Sequence, residues 1–207
     1  MLCSASGCFG RFADDWSLIT SCMDGLEPNY LAALVTLGRV CEEYRATVGM
    51  PAYLVGGAAV AIWTNGAFHS ADFDLVIVAE SVFHDILLEH GFKKEDRRGR
   101  LLVGYYHPDH PQFGWQFVTG PLFDGASDKE RVVAIEFQPG SAVIVPPIED
   151  LIADRLGQYE ANRYDKSRLN QAELLFQIAE TIDMAYLRRR VAEEQGDISL
   201  LDTWIRV

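Results

Sequence analysis

The sequence is poor in positive charge. Lysine and arginine together number 18 against 30 aspartates and glutamates, a formal net charge of −12. Proteins of long duplex nucleic acid displace counterions with a basic footprint, so this balance excludes nonspecific duplex binding as the main role. It leaves room for a small anion held by a local positive pocket or through metal ions. Cysteine is scarce as well. Cys3, Cys8, Cys22 and Cys41 fall in the first fifth of the chain and lack the paired short spacings of a zinc knuckle. They read as reduced, partly buried thiols. No apolar run reaches the ~20 residues that span a bilayer. The longest, Tyr53 to Trp63, contains Gly56-Gly57. Met1-Leu2-Cys3-Ser4 opens no basic region followed by an apolar core, so a secretion signal is not expected and a cytoplasmic location is.

What is present is globular in character. The 207 residues are 49% hydrophobic and 23% charged, room for one domain with a small helical appendage. The first 28 residues have weak periodicity and read as an extension. Residues 29–146 read as an α/β domain and 147–207 as a helical segment. Asn29 is expected to cap a helix in which Leu31, Leu34, Leu37, Cys41 and Tyr44 recur at helical spacing, stopped by Gly49 and Pro51. Ala52 to Val55 reads as a short buried strand, Ala58 to Trp63 as a short helix, and Phe73 to Val78 as the strongest strand. Ser81 is expected to cap a helix ending at Gly91. Strands are expected at Leu101–Tyr106, Trp115–Thr119, Arg131–Phe137 and Ala142–Val145, separated by turns at Asp96–Gly99, His107–Pro111 and Gln138–Gly140. Beyond Pro146-Pro147 the spacing fits helices at about Pro147–Glu160, Lys166–Glu180 and Asp183–Gln195, with a short one near Leu200.

The chemistry concentrates between Gly56 and Val78. Asp72 and Asp74 are two apart at the head of a strand, so both carboxylates project from one face while Phe73 and Leu75 point to the core. Same-face neighbours on a strand are only ~6.6 Å apart, and two such carboxylates repel unless a cation or proton sits between them. A hard divalent cation with oxygen ligands satisfies that requirement. The plainer alternative is a turn closed by Asp72 and an edge Asp74 facing water. Gly56-Gly57, between a strand and a helix, permits a tight turn and close approach of a ligand, and the N–H groups of the helix start suit a phosphate. Packing alone also accounts for such a turn.

Gly56-Gly57 followed by Ser70-Ala71-Asp72-Phe73-Asp74-Leu75 resembles the nucleotidyltransferase superfamily, in which a Gly-Gly or Gly-Ser turn precedes an Asp-x-Asp strand. The spacing looks most like the minimal bacterial branch that includes abortive-infection toxins, and Ile148–Leu156 resembles the helix that opens the carboxy-terminal part of such proteins. The resemblance implies an α/β (α+β) fold with a mixed sheet flanked by helices, and a site holding two Mg²⁺ ions when a nucleoside triphosphate is bound. It implies Asp72 and Asp74 as metal ligands, with Gly56, Gly57 and Ser70 on the phosphate side. The resemblance leaves the acceptor of the nucleotide open among a small molecule, a protein and an RNA end.

Two departures from the family pattern stand out. The neighbouring strand carries Gln116 where a third carboxylate is expected, and a glutamine can ligate a cation but cannot serve as a base. Glu136, inside another middle strand, is the substitute candidate. Phe68 and His69 also stand where a basic residue often precedes the motif. Among Arg155, Arg163 and Lys166, the last is the candidate for the triphosphate. His107, Asp109 and His110 resemble a metal cluster but sit in a proline-interrupted loop. Arg188-Arg189-Arg190 reads as surface, and Trp63 and Trp115 as core. The competing reading is a degraded centre serving as a binding module within a protein complex such as a toxin–antitoxin pair.

Overall fold

The computed structural model describes residues 9–11, 17–19, 23–95 and 104–205. Within them the chain runs β1 (Phe9–Arg11), β2 (Ser17–Ile19), α1 (Pro28–Val48), β3 (Tyr53–Val55), α2 (Gly56–Trp63), β4 (Asp72–Val76), α3 (Glu80–Glu89) and β5 (Lys93–Lys94). The hairpin of β6 (Gly104–His107) and β7 (His110–Val118) follows, then β8 (Val133–Gln138) and β9 (Ser141–Val145). The remaining helices are α4 (Ile148–Ala161), α5 (Lys166–Ile178), α6 (Met184–Glu193) and α7 (Ser199–Ile205). Cys3, Cys8, Cys22, the expected Asp96–Gly99 turn and residues 101–103 of the expected strand lie outside the described residues.

The strands form one mixed sheet in the order β1-β2-β8-β9-β3-β4-β7-β6-β5. Two of its strands, β1 and β2, fall in the stretch expected to be an extension; β2 pairs in parallel with β8. Helix α1 starts one residue earlier than Asn29 because the Glu27 side chain accepts from the Tyr30 N–H at 3.0 Å. It ends as expected at Gly49, in the left-handed conformation. Cys41 is buried on its inner face. Helix α3 begins at Glu80 without a side-chain cap, so Ser81 lies inside it. Strand β7 starts five residues before Trp115, since His110 pairs with His107 across a tight turn. The expected loop histidines thus flank a hairpin, and among the described residues no group of three or more His, Cys, Asp or Glu is placed to hold a metal.

The sheet positions the carboxylates by burial of their neighbours. Phe73 and Leu75 are fully buried. Phe73 stacks between Tyr30 of α1 and Trp115 of β7, each with ring centroids 5.1 Å away, and meets Phe113 edge-on. That aromatic column fixes the strand's rotation and leaves Asp72 and Asp74 on the opposite face. Trp63 packs partly buried and donates to the Pro146 carbonyl at 3.1 Å.

The helical segment is attached by a buried polar network. Asp150 and Arg190 are completely inaccessible. Asp150 accepts from Arg190 Nε at 2.6 Å, from the Tyr186 hydroxyl at 2.9 Å and from Ser127 Oγ at 2.5 Å. Arg190 is therefore not a surface residue. It falls on the inward stripe with Tyr186, Leu187 and Val191, at helical spacing. No helix among the described residues is long and apolar enough to cross a membrane.

Three aspartates cap the later helices. Asp165 accepts from Ser167 before α5, Asp183 from Ala185 and Tyr186 before α6, and Asp197 from Ser199 before α7. These bonds favour the ionised form and hold each carboxyl below the ordinary aspartate range. A depressed folded value means the stabilisation is full above about pH 4 and is lost as pH falls through the folded values. Asn caps as well as Asp but does not titrate. An Asp183→Asn variant followed by far-ultraviolet circular dichroism is expected to lose helix less steeply below about pH 4; superimposable acid titrations contradict this.

Candidate active site

The cleft is built where β3 hands over to α2. Gly56 sits at the junction with φ of +67°, a conformation L side chains rarely adopt. A Cβ there would run into Asp74 Oδ2. One at Gly57 would lie 2.9 Å from Ser70 Oγ, and one at Gly114 of β7 would lie 2.7 Å from Asp72 Oδ1. Glycine thus lies against both carboxylates and the serine. The start of α2 has no side-chain cap, so its first N–H groups are left without a side-chain acceptor, beside the carboxylates. Ser70 Oγ donates to the Asp72 carbonyl at 2.8 Å and fixes the entry to β4.

Strand pairing brings in the third side chain. Strands β4 and β7 run parallel with Asp74 beside Gln116 and Asp72 beside Gly114. Gln116 Nε2 donates to Asp74 Oδ1. Burial pushes the Asp74 carboxyl above the ordinary range. The Gln116 amide opposes that shift, Asp72 adds to it, and Arg155 and Arg168 oppose it from across the cleft. The opening is about 650 Å³ and is closed on the far side by Asp154, Arg155 and Gln158 of α4 and Arg168 and Gln171 of α5. Arg155 is buried, donating through Nε to Asp154 at 2.9 Å and through Nη1 to Gln171 at 3.4 Å. Phe123 and Asp124, consecutive residues with positive φ, form part of the wall.

Asp72, Asp74, Gly56, Gly57, Ser70 and Gln116 line this one cleft. Two other candidates do not. Glu136 lies on β8, three strands from β4 and roughly 14 Å sideways at normal strand spacing. The register Ala134–Ile144–Tyr53–Val76 also puts it beyond the far end of β4. It cannot act on a group held by Asp72 and Asp74. Lys166 turns away from the cleft, its Nζ 2.6 Å from the Tyr159 hydroxyl. Two positions along a helix rotate by about 200°, so Arg168 faces the cleft where Lys166 does not. Arg168, Gln171 and Gly114 are the residues that sequence reading missed. A glycine inside a strand signals a close approach, and Arg168 with Gln171 at i, i+3 marks a polar helix face.

The overall fold is shared by a solved structure. A crystal structure of an antigenic nucleotidyltransferase-like protein from Paracoccidioides brasiliensis superposes with a TM-score of 0.56. The fold is nucleotidyltransferase-like. The likeness covers 87% of this chain and 94% of that one at 14% sequence identity, so it establishes architecture. No protein-family model matches the chain, and no curated protein does. Within this nucleotidyltransferase-like fold, two carboxylates on one strand face, an open helix start and two opposing arginines suit a ligand that is anionic and carries a cation.

Proposed function

We propose that the protein is a metal-dependent nucleotidyltransferase, moving a nucleoside monophosphate from a nucleoside triphosphate to an acceptor. The observation that carries this reading is the glycine-wrapped pair Asp72 and Asp74 beside the uncapped start of α2. The donor set fits a hard cation: two carboxylates, with no sulfur among the residues that line the cleft. Asp72 and Asp74 would hold Mg²⁺, which when bound neutralises charge on the phosphates and orients them for in-line displacement. The N–H groups of Gly57 and its successors bind phosphate oxygens. Arg168 and Arg155 offset the remaining negative charge from the helical wall. The proposal includes a cytoplasmic site of action, where nucleoside triphosphates and Mg²⁺ are supplied, and relatedness to the minimal bacterial, abortive-infection type.

Thermal unfolding tests it. Ligand at a hundred times its dissociation constant adds about 2.7 kcal/mol. For a chain of this size that raises Tm by roughly 5–11 °C. Such a rise is expected with Mg²⁺ and at least one of the four nucleoside triphosphates, and Asp72→Asn should remove it. No rise with any of the four, and no transfer of radiolabel, contradicts the proposal.

One observation favours a second reading. Gln116 stands beside Asp74 and is neutral, and among the described residues no other carboxylate of the middle strands is near enough to accept the acceptor's proton. On this reading the cleft binds a nucleotide without transferring it, within a protein complex such as a toxin–antitoxin pair. Triphosphate-dependent stabilisation without label transfer distinguishes it.

A further inference from the structure

We propose that the cleft holds one divalent cation per chain rather than two before any triphosphate is bound, and that Gln116 sets this number. The inference rests on the metal–nucleotide reading above. Parallel pairing of β4 and β7 places Gln116 at the position nearest Asp74. An ionised carboxylate only accepts hydrogen bonds, so the amide edge that meets Asp74 Oδ1 is its N–H₂ edge. That edge presents positive charge and cannot ligate a cation.

Three carboxylate oxygens of the pair remain, shared between Asp72 and Asp74. Asp74 Oδ2 lies against Gly56 and Asp72 Oδ1 against Gly114. Paired catalytic dications sit about 3.5–4 Å apart and bring four positive charges. Asp72 and Asp74 together bring two negative charges, which match a single dication. Of the other cleft carboxylates, Asp154 accepts from Arg155, Glu194 accepts from Arg190 at 2.7 Å, and Asp124 stands in the wall on the 122–125 turn. Among the described residues no third His, Cys, Asp or Glu joins the pair as a ligand group. A carboxylate at position 116 would reverse both conditions, since it adds a negative charge and no longer donates to Asp74.

The test counts Mn²⁺, used alone as the probe. Equilibrium dialysis of the full chain at neutral pH gives the number bound, and electron paramagnetic resonance reports whether two bound ions are neighbours. The wild type should bind one Mn²⁺ with an uncoupled spectrum. Gln116→Asp and the longer Gln116→Glu should each bind two, with spectra broadened by spin–spin coupling. Two coupled ions in the wild type overturn the proposal and leave the metal–nucleotide reading standing. One ion in both variants, folded by circular dichroism, overturns the role of Gln116. No ion in the wild type overturns the proposal, and the triphosphate-dependent thermal shift then decides the metal–nucleotide reading separately.

Discussion

Asp150→Ala is expected to cost about 3–5 kcal/mol of stability, because it leaves a buried guanidinium without its closest counter-charge. Arg190 and Asp150 have no exposed side-chain surface. The same substitution leaves the Tyr186 hydroxyl and Ser127 Oγ without the acceptor they now share. Glu193 and Glu194 still pair with Arg190, and their partial exposure limits what they restore, so the lower end of the range is expected. At 2–4 °C per kcal/mol for a chain of this size, Tm should fall by roughly 6–12 °C. Replacing both members with apolar residues, Asp150→Leu with Arg190→Met, should recover much of the loss, since the desolvation cost then disappears with the charges. Arg189, an exposed neighbour paired with Glu193 and Asp128, should tolerate alanine with little change in Tm. Denaturant melts of the three variants, beside the wild type, decide it. A double variant no more stable than Asp150→Ala contradicts the electrostatic account.

Gly56→Ala is the second large effect. Alanine in a left-handed conformation costs roughly 1–2 kcal/mol. Its Cβ must in addition displace the Asp74 carboxylate, an overpacking cost of about 1–3 kcal/mol. The sum, about 2–5 kcal/mol, corresponds to a fall in Tm of roughly 4–20 °C. Gly140→Ala supplies the internal comparison. Gly140 has φ of +75° in the β8–β9 turn and nothing within 4 Å of its added Cβ. It should show the backbone cost alone. Equal losses at the two positions contradict a carboxylate pressed against Gly56.

The central motif was readable because its physics is local. Alternation along Asp72-Phe73-Asp74-Leu75 fixes which side chains share a face, and the core aromatics confirm that choice. Gly56-Gly57 marks the turn because few other residues adopt its backbone. Glu136 illustrates the opposite case. Its strand is legible, but which strands lie between β8 and β4 is set by long-range pairing that no short window records. Lys166 and Arg168 differ by about 200° of helical phase, and although the start of α5 at Lys166 was legible, which of its sides faces the cleft is set by its packing against α4. Arg190 reads as solvent-facing within a run of three arginines. Only its buried partner Asp150, forty positions earlier, reveals otherwise. Residues 9–11 and 17–19 lack periodicity because three-residue strands are too short to show any.

A crystal of the protein grown with Mn²⁺ and a non-hydrolysable nucleoside triphosphate asks the most direct question. The account predicts an anomalous peak ligated by both Asp72 and Asp74, with phosphate oxygens on the first N–H groups of α2. A peak that touches only one of the two aspartates, or a triphosphate seated away from α2, contradicts it.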